Sequence, residues 1–267
     1  MPDKRVALDR ALDGIRDGCT LGVGGMTLYR RPMRLVLELI RREPRDLTLL
    51  AFTAGLECDL LVGTGCIART RTCYFGLEAF GLAPMFTALA TAGNLQVVEE
   101  TEGTLAAGLR ASLAGVGFMP VRGIRGTDFM KARPDLKTVA CPYTGEELLA
   151  VPAIRPDVAL IHAVQCDPEG NAVLVGNLGV DLELAALADL TIVSAEEVVP
   201  TEKLPERGVN LIGLAVDRVV EAPHGAWPTS CYPKYPFDGE ALLRYGKACR
   251  DQEFFELVKE WQTSGRS

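Results

Sequence analysis

The chain is short of histidine, of long apolar runs and of surplus positive charge, and each shortage narrows what it can do. Only two histidines, His162 and His224, are available for a catalytic triad. His162 lies in the apolar run Leu160-Ile161-His162-Ala163 and reads as a satisfied core residue. His224, in Pro223-His224-Gly225, reads as a residue that fixes a loop, and no serine stands in a Gly-x-Ser-x-Gly elbow. No stretch approaches the ~20 uninterrupted apolar residues of a membrane span. Residues 1–18 carry a charge every few positions, so they hold no signal-peptide core. With 28 basic against 35 acidic side chains, the net charge of −7 offers no footprint for nucleic acid and no basic face for an anionic membrane. Eight cysteines are present, but no close pair has the spacing of a metal or redox motif. Most sit inside apolar runs, as Cys141 does, which suits small buried hydrophobes in a reducing cytoplasm. No metal site and a cytoplasmic location are therefore expected.

What remains is an ordinary globular composition, 48% apolar and 24% charged over 267 residues, enough for one large domain spanning 1–267. Asp3 is placed to cap a first helix running to Gly18, with Val6, Leu8, Ala11, Leu12 and Ile15 inward. Thr20–Val23 is too short for a helix and closes on Gly24-Gly25. Pro32 opens a helical pattern over 32–42, with Met33, Val36, Leu37 and Ile40 on one face. Leu47–Phe52, Arg71–Phe75 and Leu95–Val98 read as strands, and Thr101–Leu113 as a helix. Strands that alternate with helices and are nearly continuous in apolar residues predict an α/β fold, a mainly parallel sheet covered by helices on both faces. From about residue 137 the texture changes to short runs at 139–143, 148–154 and 158–163. Asp167-Pro168-Glu169-Gly170-Asn171 is strong turn chemistry, which predicts an antiparallel hairpin excursion there. A helix at 180–188, strands at 190–195 and 214–221 and a polar helical tail after Asp238 complete the pattern.

Two segments could carry chemistry. In Gly22-Val23-Gly24-Gly25-Met26-Thr27 the glycines would let a ligand approach the backbone, and the following helix could offer N–H groups to an anion. A tight strand-to-helix turn explains the same spacing. Arg30 and Arg31 flank this loop and would suit phosphate as well as a solvated face, whereas Arg41, Arg42 and Arg45 read as solvated. In Glu99-Glu100-Thr101-Glu102-Gly103, three carboxylates lie between a strand end and a helix start, the edge where parallel α/β sheets gather ligands. The helix dipole alone explains at least two of them. Glu102 is the candidate for a catalytic role.

Taken together, GVGGMTLYRRPM (22–33), YFGLEAFGLAPMF (74–86), VVEETEGTLAAGLRA (97–111) and CPYTGEE (141–147), with Asp167–Asn171 and Gly176-Asn177, resemble the alpha (A) subunit of class I coenzyme A transferases, in the glutaconate CoA-transferase branch. The resemblance spans nearly the whole chain. It implies a two-subunit enzyme that uses coenzyme A as co-substrate, with no tightly bound cofactor. A glutamate of the beta (B) subunit would attack an acyl-CoA thioester and pass CoA to a carboxylic acid, in a heterodimer or α2β2 assembly. Carried over by motif, Gly24, Gly25, Met26 and Thr27 would form the loop facing the acyl group; the loops 26–31 and 76–86 would shape the pocket, with Arg30, Gly76 and Glu78 as further substrate-binding candidates.

Glu102 departs from succinyl-CoA-type relatives, whose matching stretch has a glutamine thought to donate to an oxyanion. Glu102 must then be protonated, be relieved of that task by another group, or act as a base. The last option matches a related branch of ring-opening 3-oxoacyl-CoA hydrolases. The expectations in order are transferase, hydrolase with Glu102 as base, and a catalytically silent binding module.

Overall fold

The structure, a computed structural model, describes residues 2–205 and 208–263. A short helix α1 (Leu8–Ala11) leads into strand β1 (Thr20–Val23), helix α2 (Met33–Arg41) and strand β2 (Leu47–Ala54). Helix α3 (Leu56–Gly63), strand β3 (Ile67–Phe75), helix α4 (Pro84–Thr91), strand β4 (Gln96–Glu99) and helix α5 (Glu102–Leu113) follow. A smaller unit comprises β5 (Phe118–Val121), α6 (Phe129–Ala132), β6 (Lys137–Ala140) and β7 (Glu147–Pro152). The chain then forms β8 (Val158–Ala163), the pair β9 (Gln165–Cys166) and β10 (Ala172–Val173), α7 (Asp181–Leu187), β11 (Leu190–Ala195), β12 (Arg218–Glu221), α8 (Gly239–Arg250) and α9 (Phe254–Thr263).

Seven strands form one sheet in the order β12-β11-β8-β1-β2-β3-β4, and every neighbouring pair is parallel. The sheet is covered on both faces, because alternate side chains of one strand point to opposite layers. Leu47 and Leu49 of β2 join the core under α2, α3, α8 and α9, whereas Leu50 joins Leu105 and Leu109 of α5 and Leu184 of α7. The antiparallel excursion is larger than the one hairpin expected: β9-β10 pair around the 167–171 turn, and β5-β7-β6 form a second antiparallel sheet. Strand order reverses at β1, so its carboxyl end lies at the crevice where open α/β sheets bind ligands.

Two local expectations need correction, and one helix was not expected at all. Asp3 caps no helix: its carboxylate pairs with Arg5, and the first helix is only four residues long, behind an uncapped Ala7. The free edge of β12 decides this, since Val6 donates to the Val219 carbonyl and Arg5 bridges to Val219. The final strand starts at Arg218 rather than 214, because Gly213–Ala215 turn as a 3-10 helix. Helix α3 escapes sequence reading altogether. Seven of its eight residues are buried, Glu57 and Asp59 included, so no amphipathic period marks it.

Asp59 shows how such a helix is tied down. Its carboxylate accepts from the N–H groups of Met85 (3.2 Å) and Phe86 (2.6 Å) in the first turn of α4, and from the Tyr245 hydroxyl of α8 (2.7 Å). Burial pushes its pKa up to about 6 against these three donors. Asp59→Ala should strand them without water and cost on the order of 3 kcal/mol, read as a lowered melting temperature; an unchanged melt would refute this account of how α3, α4 and α8 are joined.

Candidate active site

The loop after β1 is held from several sides. Gly24 N–H continues the sheet to the Leu160 carbonyl (2.9 Å), and Gly25 N–H donates to Asp181 Oδ1 (2.7 Å). Met26 N–H and Tyr29 N–H bond reciprocally to the Tyr29 and Met26 carbonyls, while Thr27 N–H reaches Thr53 Oγ1 (3.0 Å). The donors of Gly24 through Thr27 are therefore committed within the protein. The glycines serve close approach rather than anion binding. A Cβ on Gly24 would lie 2.7 Å from Asp181 Oδ1, and Gly25 holds φ at +83° with the Arg30 carbonyl 2.6 Å from where its Cβ would be. Thr27 and Arg30 also take left-handed backbone, at φ 40° and 55°. Non-glycine residues rarely adopt that region, and such strain concentrates at functional turns.

Arg30 and Arg31 are inside the protein. The Arg30 guanidinium meets Asp181 Oδ2 at 2.6 Å and donates to the carbonyls of His162 (3.1 Å), Val175 (3.1 Å) and Asn177 (3.3 Å). Arg31 is fully buried against Glu57 and donates to the Thr53 carbonyl at 3.1 Å, so neither of the readings weighed for it, phosphate or solvent, describes its setting. Beside the loop, Met26, Tyr29, Arg30, Val175, Gly176, Asn177, Ser230 and Tyr232 line a mainly apolar cavity of about 260 Å³. Of the residues singled out from the sequence for substrate, Met26 and Arg30 reach this lining; Gly24, Gly25 and Thr27 stand behind it. Asp181, Val175, Ser230 and Tyr232 went unnoticed as site residues. Only an acidic residue in the first turn of a helix hinted at Asp181.

Gly76, Glu78 and Glu102 lie toward the β3 and β4 side of the same carboxyl edge, outside the cavity lining. Gly76 is buried and bonds to the Ala54 carbonyl, and Glu78 is exposed at φ 55°. Glu102 is exposed in the first turn of α5. Burial, with the Glu102 charge adding to it, pushes the Cys73 thiol up to about 11. Glu100, by contrast, is buried between Arg71 (2.6 Å), Arg133 (2.9 Å) and the Thr104 hydroxyl (2.5 Å), a structural hub at the helix start.

His162 is buried as expected, in a hydrogen-bonded Ser–His–Glu row. Its Nδ1 lies 2.8 Å from Ser194 Oγ and its Nε2 lies 2.8 Å from Glu196 Oε1. Glu196 also accepts from the His224 N–H and the Tyr235 hydroxyl. Burial keeps the imidazole below its usual pKa, so we assign the neutral tautomer with Nε2–H donating to Glu196. Ser194 and His162 are both inaccessible, so this row reaches no substrate. Among the described residues, His162, Glu196 and Cys231 form the one cluster with metal-ligand chemistry, their ligand atoms lying within 4.8 Å of one another. The thiol is pushed up to about 12 by burial and then by Glu196, and the His–Glu hydrogen bond is already made; this is a proton-sharing network more than a coordinating set.

Two measurements bear on this geometry. Gly24→Ala, whose new methyl must displace Asp181, should cost about 1–3 kcal/mol of stability, and a neutral result would mean the wall is not tightly packed. His162 contributes most above its unfolded pKa of 6.5; as pH falls below that value the unfolded chain takes up a proton the folded protein declines, so stability drains. The melting-temperature advantage of wild type over His162→Gln should therefore shrink between pH 7.5 and 5.5; growth of that advantage would reverse the assigned direction.

The sequence profile of the coenzyme A transferase family matches residues 5–222. The chain is 33% identical to the A subunit of 3-oxoadipate CoA-transferase from Pseudomonas knackmussii, over 90% of this chain and 86% of that one. It is 35% identical to the cholesterol ring-cleaving hydrolase IpdA subunit of Rhodococcus jostii, over 98% and 93% of the two chains. A 34% identical protein of Archaeoglobus fulgidus is longer: the match covers 95% of this chain but 58% of that protein. Among solved structures, glutaconate CoA-transferase of Acidaminococcus fermentans superposes with a TM-score of 0.91 at 29% identity, over 99% of this chain and 90% of that one. The decarboxylase AibA/AibB also gives a TM-score of 0.91, at 34% identity over 98% and 100%. A profile that spans most of the sheet and the switch-point loop, with relatives matched along nearly the whole chain, places this protein in the coenzyme A transferase family.

Proposed function

We propose that the chain is the alpha half of a two-subunit CoA-transferase, with the nucleophilic glutamate on a B subunit, the pair being assembled as a heterodimer or α2β2. The observation that carries this reading is the composition of the cavity at the switch point. Among its lining residues there is no carboxylate and no thiol, and Asp181 behind it is engaged by Arg30 and Gly25. This composition supports an attacking group supplied by another chain, with this one contributing a rigid wall.

The chemistry suits such a wall. A partner carboxylate attacks the thioester carbonyl; a C–O bond forms, the C–S bond breaks, and CoA leaves as the thiolate, giving a mixed anhydride. The thiolate then attacks the glutamyl carbonyl, which releases the first acid as its carboxylate and leaves CoA on the partner as a thioester. A second carboxylate runs the steps in reverse. No net proton moves, so a site without a free acid or base can support transfer. Hydrolysis differs, because water must lose a proton to a base.

Two observations favour the hydrolase reading: Glu102 is exposed at the carboxyl edge, and a relative 35% identical is named a ring-cleaving hydrolase. Two experiments on the chain purified with its B subunit separate the readings. Borohydride added with acyl-CoA should reduce the glutamyl thioester and inactivate a transferase; full retention of activity would count against that route. Glu102→Gln should leave transfer within a few-fold, whereas loss of ~10²-fold or more in kcat would assign Glu102 as a base.

A further inference from the structure

We infer that the cavity beside the glycine loop seats an uncharged, apolar acyl group, and that Asp181 sets this specificity by neutralising Arg30. The inference rests on the reading of this chain as half of a CoA-transferase site, and it names the class of substrate that half accepts.

Arg30 is the one formally charged residue in the cavity lining, and a cation there would ordinarily select a second carboxylate at the far end of the acyl chain. Its charge is not available for that. Asp181, with its side chain 1% exposed, lies 2.6 Å from Nη1, and His162, Val175 and Asn177 supply three carbonyl acceptors to the same guanidinium. Each of its three nitrogens thus already donates to a carbonyl, and with Asp181 the pair is neutral. A dicarboxylic acyl group would bring a second carboxylate beside Asp181 with a single cation between them, after losing its own hydration. Ser230 does not compensate, because its hydroxyl donates to the Leu28 carbonyl (3.3 Å). Met26, Tyr29, Val175 and Tyr232 present thioether, ring and aliphatic surface to a space of about 260 Å³, which suits a short hydrocarbon tail.

Asp181 has a second task, accepting the Gly25 N–H through Oδ1. Asn at that position keeps an acceptor for Gly25 while removing the charge, so Asp181→Asn separates the two tasks and leaves Arg30 free to take a carboxylate.

The test uses two thioesters of equal chain length, pentanoyl-CoA and glutaryl-CoA, with the chain purified together with its B subunit. Acetate serves as acceptor. Pentanoyl-CoA should exceed glutaryl-CoA by ~10²-fold or more in kcat/KM. Asp181→Asn should narrow that ratio at least tenfold, mainly through a lower KM for glutaryl-CoA. Equal losses for both thioesters would make Asp181 merely structural and overturn its specificity role, and a wild-type preference for glutaryl-CoA would overturn the whole inference. Binding of pentanoate and glutarate to the chain, followed by saturation-transfer NMR, keeps the cavity testable whatever the turnover. Pentanoate binding without glutarate binding, in a pair that transfers nothing, would support the cavity's preference while refuting the proposed reaction. Glutarate binding as well as pentanoate, or binding of neither, would overturn the inference. Should Asp181→Asn not fold, Val175→Phe fills the same space from a side chain that makes none of these polar contacts; it should abolish pentanoate binding, and unchanged binding would place the acyl group elsewhere.

Discussion

Asp181 accepts the Gly25 N–H and faces Arg30 where almost no water reaches either side chain. Desolvating two charges is costly, and their attraction repays it only when the geometry is good and the remaining donors are satisfied. Here Arg30 satisfies its own donors at carbonyls at the end of β8 and in the 175–177 segment, while Asp181 Oδ2 faces it at 2.6 Å as an ion-pair partner without a hydrogen bond. One ion pair therefore joins the start of α7, the loop after β1, the neighbouring strand and a wall of the cavity. Removing either partner would leave an uncompensated buried charge, so the pair holds the site in a single arrangement.

The glycines follow from that tie. Because the carboxylate sits directly over the backbone, the residue beneath has no room for a Cβ, and the chain must then turn left-handed at Gly25 to reach Met26. A glycine-rich loop of this kind is easily taken for an anion cradle, yet its N–H groups are occupied by Leu160, Asp181, Tyr29 and Thr53. What it offers is proximity: a smooth, rigid surface at the point where strand order reverses.

Other buried charges do different work. Arg31 with Glu57 pins α3 against the carbonyl of Thr53, whose hydroxyl holds Thr27, so this pair also braces the loop. Glu100 gathers Arg71, Arg133 and Thr104 at the entrance of α5. The Ser194–His162–Glu196 row has the residue types of a hydrolytic triad but is sealed within the core and fixes the ends of β8 and β11. Residue type alone does not distinguish these roles. Access to a cavity does, and it separates Met26 and Tyr29 from His162.

Much of the architecture was legible along the chain. The runs at 20–23, 158–163 and 190–195 are strands to the residue, because short apolar stretches between turn signals leave little choice, and the 167–171 turn makes its hairpin through local chemistry. Helix α5 begins where Thr101 can cap it. Helix α3 was not legible, since burial on every side erases the period that identifies a helix. The site lay furthest from view. Gly25 and Asp181 are separated by 156 positions, and the cavity draws on segments near 26–30, 175–177 and 230–232. Local sequence determines most of the segments that become strands and helices, because hydrophobic period and turn chemistry act over a few residues. Which arginine is neutralised, and hence what kind of group the cavity can hold, was decided only when the parallel crossovers brought the strand ends to one edge, because electrostatic pairing depends on distance in space and burial, neither of which is written in the order of residues.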